Sequence, residues 1–310
     1  MVVKVDIVVY HENCSDGMCA LWCAYHFNPS IVKVPCKAGS SPDMNRVDFA
    51  GKNVFFLDVS PTMEFLWLSK ASTIWILDHH KSAMEWYHSR RAELPDNVFS
   101  LFDLSRSGCE LAWDFFFPGV PRPFFVNYVA DRDLWKFELP DSRNINYALD
   151  QMGYISDTKL DGMTELYLRA KEDLDACLRE LSQQGEVLSR ANAIAVQAAC
   201  ASAVLVRLTV PGEQQQTYKV MLGGGDIANY LKSDLGKALA DREDEGCDFA
   251  AVWSYNTKDH EWSISLRGKE GKSPDLSKIA AAFGGGGHKL SSAMRFADPS
   301  FSLDDIFVFA

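Results

Sequence analysis

The sequence predicts an α/β protein in two parts: an N-terminal domain on a parallel sheet, a helical linker, and a smaller mixed α/β C-terminal domain. Three observations carry this. Short apolar, β-branched runs alternate with helix-like stretches from Val3 to Phe117, the rhythm of βα units. Leu174 to Cys200 contains few breakers beyond Gly185 and reads as one long helix. A new set of strands, two of them joined as a hairpin, begins at Ala203. A chain of 310 residues has room for two cores, so the parts are placed at 1–200 and 201–310.

In order, a strand is expected over Val3–Tyr10 and a helix from Ser15 or Asp16 to Phe27, stopped by Pro29. Ile31–Val34 is a short strand closed by Pro35, and a polar loop follows from Cys36 to Asn45. Strands Asn53–Leu57, Ser72–Leu77 and Val98–Phe102 alternate with helices Thr62–Ser69, Ala83–Arg91 and Cys109–Phe117. Phe125–Ala130 is a further apolar stretch, read like the strands. Residues 144–201 are mostly helical. The second part has strands Ala203–Val210 and Tyr218–Leu222, the turn Gly223-Gly224-Gly225-Asp226, and a helix over Ile227–Ala240. Strands Asp248–Tyr255 and Glu261–Arg267 form a hairpin. A helix over Leu276–Phe283, capped by Ser273 or Asp275, runs into Gly284-Gly285-Gly286-Gly287-His288-Lys289 and a strand at Ser292–Phe296.

Chemistry gathers at the strand ends. Ile74-Trp75-Ile76-Leu77 flips into Asp78-His79-His80-Lys81, and ligands of open α/β sheets sit at the carboxyl ends of strands. The first strand ends in His11-Glu12-Asn13-Cys14-Ser15-Asp16-Gly17, the third in Asp58, and Phe125–Ala130 in Asp131-Arg132-Asp133. Carboxylates and imidazoles together suit a divalent metal. One Asp after a strand is usually a turn residue or cap; four such ends in one domain weigh against that. Ser105-Arg106-Ser107-Gly108, before a helix, fits anion binding by backbone N–H groups and plain serine capping equally well. The four glycines before His288 cost entropy and serve no core, so a backbone that approaches an anion closely is the better reading over a flexible linker.

The net charge of −11 argues against a surface for long duplex nucleic acid. Eight cysteines without a CxxC pair, no secretory leader and no apolar run near the roughly 20 residues of a membrane span point to a reduced, cytoplasmic protein. Asp133 and Trp135 read as a local cap and a core contact, and Trp113 with Phe115–Phe117 as helix core.

Taken together, Tyr10-His11 to Asp16-Gly17, Asp58, Asp78-His79-His80, Asp131, Ser265-Leu266-Arg267-Gly268 and Gly284–His288 stand in one order. That ordered set resembles the DHH phosphoesterase superfamily with its DHH-associated C-terminal domain, over nearly the whole chain. The resemblance implies hydrolysis of phosphoester or phosphoanhydride bonds with Mn²⁺ or Mg²⁺, one or two ions per chain. It implies that Asp16, Asp58, His79 and Asp131 form one metal site and that His11 and Asp58 contribute to the other. Asp78 would orient the histidines, and His80 would face the scissile phosphate. Arg267, Gly285, Gly286, Gly287 and His288 would bind the substrate, a short oligonucleotide or nucleotide lodged between the domains.

The first motif departs from the family, which has a histidine followed by Asp-x-Asp. Here Asp16 fills the second position and Cys14 stands at the first; in the other alignment Asp16 is the first and Met18 replaces the second. Either way one carboxylate is missing, so the first ion is expected to be weakly held. A neutral buried thiol at Cys14 is preferred over a zinc-ligating thiolate, with Asn13 as another oxygen donor. The competing reading is a nucleotide- or phosphate-binding protein that kept the fold and lost turnover.

Overall fold

The computed structural model describes residues 4–211, 216–225, 227–242 and 246–309, so Val3 and Asp226, named above, lie outside the described residues. The chain divides into two compact units, Met1–Ser189 and Arg190–Ala310.

The first unit is built on five parallel strands: β1 (Ile7–His11), β2 (Val32–Cys36), β3 (Asn53–Leu57), β4 (Thr73–Asp78) and β5 (Val98–Phe102), in the order β2-β1-β3-β4-β5. The strand residues alternate between two apolar cores. Val8, Phe55 and Leu77 face α1 (Ser15–Phe27) and α4 (Gly108–Phe116). Ile7, Val9, Val54, Phe56, Ile74 and Ile76 face the other way, onto Phe65 and Leu66 of α2 (Met63–Leu68) and Tyr87 of α3 (Lys81–Ser89). Both faces are therefore buried, which is why these strands read as continuous apolar runs. β2 continues through Pro35 to Cys36 rather than ending before it, because an edge strand tolerates a residue without an N–H.

One expected element changes type. Phe125–Ala130, read with the strands, lies within the helix α5 (Phe124–Asp133). Its buried Phe125, Val126, Tyr128 and Val129 follow helical spacing, with only Asn127 breaking the run. Helices α6 (Ser142–Gln151), α7 (Leu160–Glu172) and α8 (Leu174–Ala201) complete the helical region. The division falls within α8, ahead of the expected junction near Cys200, because Val196, Ala199 and Cys200 pack into the second unit's core.

The second unit is a seven-stranded mixed sheet: β6 (Val204–Val210), β7 (Gln216–Gly224), β8 (Phe249–Asn256), β9 (Glu261–Arg267), β10 (Gly286–His288), β11 (Ser291–Phe296) and β12 (Phe307–Phe309), ordered β10-β11-β9-β8-β7-β6-β12. β7 and β8 pair in parallel, and the other neighbours pair antiparallel. The β7–β8 crossover carries α9 (Lys232–Ala240), whose Leu235 and Leu239 cover Met221, Ala250 and Val252. The opposite face takes α10 (Leu276–Ala282), capped by the Asp275 side chain. Among the described residues no helix is long and apolar enough to cross a membrane.

Candidate metal centre

In a sheet of order β2-β1-β3-β4-β5 the connections leave β1 and β3 in opposite directions, opening a crevice at their carboxyl ends. His11 ends β1, Asp58 follows β3, and Asp78-His79-His80 closes β4. Asp16 reaches the same place from the first turn of α1. Gly17 makes that possible: a Cβ there would sit 2.3 Å from the His11 carbonyl oxygen. Asp58 holds the left-handed conformation at φ 58, a costly choice for a non-glycine residue and one that recurs at functional sites.

The side chains converge. His79 Nε2 lies 3.1 Å from Asp58 Oδ1, 3.5 Å from Asp16 Oδ2 and 3.5 Å from Asp133 Oδ2. His11 Nδ1 lies 3.2 Å from Asp58 Oδ2. Donor atoms of His11, Cys14 and Asp58 lie within 4.8 Å of one another, as do those of Asp16, Asp58 and His79. Asp58 belongs to both groups. Its Oδ1 is buried and makes no hydrogen bond of proper geometry despite the nearby imidazole. A buried carboxylate oxygen left this way, among other carboxylates and neutralisable imidazoles, fits a divalent cation.

Asp16 is held by another helix. Gly108 N–H donates to its Oδ2 at 2.6 Å and Cys109 N–H to its Oδ1 at 2.9 Å. The N-terminus of α4 does bind an anion, and the anion is the protein's own carboxylate. Ser107 meanwhile caps the same helix in a capping box with Glu110, so the two readings of this turn hold together. A Cβ on Gly108 would lie 2.5 Å from Asp58 Cβ and 2.9 Å from Asp16 Oδ2.

Burial and mutual repulsion set the electrostatics. Burial first, then the Asp58 and Asp133 carboxylates, push the Asp16 carboxyl up to about 8, against the opposing pull of His79. Two like charges about 4 Å apart repel by about 4 kcal/mol at an effective dielectric near 20. One hydrogen bond to a charged group returns only about 1.5–3 kcal/mol. Asp133 is raised as well: loss of water around its carboxylate, which sits against the cluster on a residue that is itself exposed, and the Asp58 charge outweigh the pull of His79. Asp58 goes the other way: burial would raise it, but the imidazoles of His11 and His79 hold it well below the usual carboxylate range. Burial would lower His79, yet Asp133, Asp58 and Asp16 raise it well above an ordinary histidine. Burial and the same carboxylates push the Cys14 thiol up.

Asp78 is a positioning group. Its Oδ1 accepts from the backbone N–H of His79 at 2.7 Å and lies 2.7 Å from His80 Nδ1, while Ser60 Oγ donates to its Oδ2 at 2.6 Å. Burial would raise the Asp78 carboxyl, but the His80 imidazole foremost holds it down to about 2. Burial would likewise lower His80, and the Asp78 carboxylate outweighs it and raises the ring.

Of the expected first-unit residues, His11, Asp16, Asp58, Asp78, His79 and His80 meet here. Asp131 does not. Its carboxylate accepts the backbone N–H of Glu138 at 2.9 Å and of Leu139 at 3.3 Å, fixing the loop after α5. Asp133, read from sequence as a cap, is the acid that reaches His79. The difference in placement follows from the helix that stands where 125–130 was read like the strands. On a helix Val126, Ala130 and Asp133 share a face at i, i+4 and i+7, and Asp131 falls off it. Ser60 was missed, since it carries no motif; the amides at the start of α4 were read as an anion site, but not as one for the Asp16 carboxylate.

In the second unit, Arg267 Nη2 donates to Ser233 Oγ at 2.7 Å and Nη1 to the Leu266 carbonyl at 2.9 Å. The glycine run is partly architectural. Gly285 N–H is spent on the Ala280 carbonyl at 2.8 Å, and Gly286, Gly287 and His288 pair with β11. A Cβ on Gly285 would meet the Ala293 oxygen at 2.2 Å.

No family model matches the chain. A protein of Acanthamoeba polyphaga mimivirus, described as uncharacterized, is 27% identical over 314 residues, spanning 95% of this chain and 68% of that protein. Among solved structures, the pGpG-specific phosphodiesterase PggH of Vibrio cholerae is 12% identical with a TM-score of 0.44, covering 97% of this chain and 95% of the other. RecJ of Thermus thermophilus in complex with Mn²⁺ is 13% identical with a TM-score of 0.45, covering 93% of this chain and 49% of RecJ.

Proposed function

We propose that the chain is a metal-dependent phosphohydrolase of the DHH phosphoesterase superfamily, using Mn²⁺ or Mg²⁺ on a small phosphate-rich substrate such as a short oligonucleotide or nucleotide. The observation that carries this is Asp58, a buried carboxylate common to two adjoining groups of metal-donor atoms. The ordered motifs of the sequence support the same reading.

Asp16, Asp58, His79 and Asp133 would hold one ion, with Asp133 taking the place first given to Asp131. His11 and Asp58 would contribute to a second. Bound divalent ions would supply Lewis acidity toward phosphoryl oxygen and lower the pKa of attacking water. The chain's own residues do the rest. The amides of α4 orient Asp16, and Ser60 with the His79 and His80 amides orients Asp78. Asp78 fixes the His80 ring and keeps it protonated to higher pH than a free imidazole, a group suited to meet phosphate charge. Arg267 and His288 are the second unit's phosphate-binding residues in this reading. The acidic net charge of −11 favours short substrates over long duplexes.

The test is Mn²⁺-dependent release of p-nitrophenol from bis-p-nitrophenyl phosphate or the p-nitrophenyl ester of thymidine monophosphate. Activity abolished by Asp58→Ala and by His79→Ala supports the hydrolase. A panel of dinucleotides, nucleoside bisphosphates, cyclic dinucleotides and polyphosphate then ranks substrates. No turnover with Mn²⁺, Mg²⁺, Co²⁺ or Zn²⁺ would leave a phosphate-binding protein instead.

A further inference from the structure

We propose that the Cys14 sulfur is a metal ligand: with a His11 ring nitrogen and Asp58 it forms a mixed sulfur–nitrogen–oxygen site that selects a thiophilic divalent ion, zinc or cobalt, over magnesium. This deepens the metal-centre reading above and rests on it.

Three features of the chain support the sulfur's role. First, its donor atom lies within 4.8 Å of donors on both His11 and Asp58, within reach of one ion after small side-chain rotations. Second, Cys14 occupies the residue before α1 in an extended conformation, φ −124 and ψ 129, and makes no capping hydrogen bond. Ser, Thr, Asp or Asn would stabilise the helix there, so the thiol is not present as a cap. Asn13, left-handed at φ 55, turns the chain between β1 and α1, where His11 and Cys14 come together. Third, and independent of the cysteine, Asp58 is only 1% exposed and its Oδ2 lies 3.2 Å from His11 Nδ1, so a buried carboxylate oxygen and an imidazole already face each other on this side of the cluster.

The other thiols near the centre are different in kind. Cys19, Cys23 and Cys109 are packed into the apolar core, with Cys23 Sγ directed at the Cys109 carbonyl and Cys109 Sγ at that of Val126. Those are small hydrophobes. Cys14 is absent from that cluster and stands among donors instead. The sequence alone favoured a neutral thiol; this placement reverses the preference. The missing first-motif carboxylate is then a change of donor rather than the loss of one. Sulfur and imidazole favour zinc and cobalt, whereas the three carboxylates and one imidazole of the adjoining group suit manganese or magnesium.

The experiment uses the full chain, stripped of metal and titrated with Co²⁺. Visible d–d bands report bound cobalt whatever its ligands, and a near-ultraviolet sulfur-to-cobalt charge-transfer band reports a thiolate ligand. The expected result is a saturable charge-transfer band that disappears in Cys14→Ser while d–d absorption from the adjoining site persists. Cys14→Asp, the second variant, should lose the band and bind a second Mn²⁺ at least tenfold more tightly than the unaltered chain. Far-ultraviolet circular dichroism confirms that each variant folds. Bound cobalt without a charge-transfer band, or a band unchanged in Cys14→Ser, overturns the sulfur ligand and leaves the hydrolase reading standing. Failure to bind any divalent ion, measured by calorimetry, overturns both.

Discussion

The backbone N–H of Gly108 donates to Asp16 Oδ2 at 2.6 Å, so a helix outside the Asp-His-His and first-strand motifs fixes a carboxylate of the candidate centre. The same glycine also leaves no room for a side chain, since a Cβ would come within 2.5 Å of Asp58 Cβ. Gly108→Ala must therefore displace Asp16, Asp58 or the start of α4. We expect a loss of about 1–3 kcal/mol in stability, typical of overpacking. Mn²⁺ affinity should fall at least tenfold, measured by calorimetry. An unaltered Mn²⁺ affinity in a folded Gly108→Ala protein would show that this contact positions nothing.

Two neighbouring aspartates should separate cleanly. Asp133→Asn removes a carboxylate 3.5 Å from His79 Nε2 and should weaken Mn²⁺ binding by an order of magnitude or more. Asp131→Ala removes the acceptor of two backbone N–H groups and should cost about 1–3 kcal/mol in urea unfolding, with metal affinity intact. The reverse pattern would restore Asp131 as the ligand.

The centre makes stability depend on pH in the metal-free protein. The Asp16 carboxyl is raised to about 8, so the folded state binds a proton that the unfolded state releases near 4. Stability from this group is complete below about 4 and is lost as pH rises toward about 8. His79, also raised, adds stability below its ordinary value near 6.5 that is lost as pH climbs through its folded value. The unfolding temperature without metal should thus fall as pH rises from about 5 to about 8.5. Saturating Mn²⁺ should flatten or invert that slope, because the cation takes the place of the protons. On the acid side Asp78, held down to about 2, contributes stability above about 4 that is lost as pH falls toward 2. Scanning calorimetry across pH, with and without Mn²⁺, checks the sign; a metal-free protein that gains stability from pH 5 to 8.5 would contradict it.

His80 should affect turnover more than binding. With its ring fixed by Asp78 at 2.7 Å, His80→Asn is expected to lower kcat by about 10²–10⁴ while Mn²⁺ affinity stays within a few-fold. Ser60→Ala, which frees Asp78 Oδ2 from its hydroxyl donor, should give a smaller loss of kcat, and the pH profile should shift because His80 is less firmly paired. Equal losses of metal binding and turnover in His80→Asn would make it a ligand instead.

What the sequence by itself determined was whatever depends on local periodicity and on residues with one chemical use. Apolar runs such as Asn53–Leu57 and Ser72–Leu77 can be buried on both faces only in a covered parallel sheet, so the first unit was legible. Asp16, Asp58, Asp78, His79 and His80 stand at strand or helix ends, where a run of carboxylates and imidazoles does little for packing and much for a cation. What only the tertiary structure decided was which neighbour faces the cluster. Asp131 and Asp133 are both acids after one apolar run, and the helical turn between them sends one to Leu139 and the other to His79. The turn before α4 reads from sequence as a place for an anion, but that the anion is the Asp16 carboxylate follows only from the packing of α4 on α1. Cys14 is a bland thiol or a metal donor depending on whether His11 and Asp58 lie beside it, and that proximity exists only once β1 and β3 are paired.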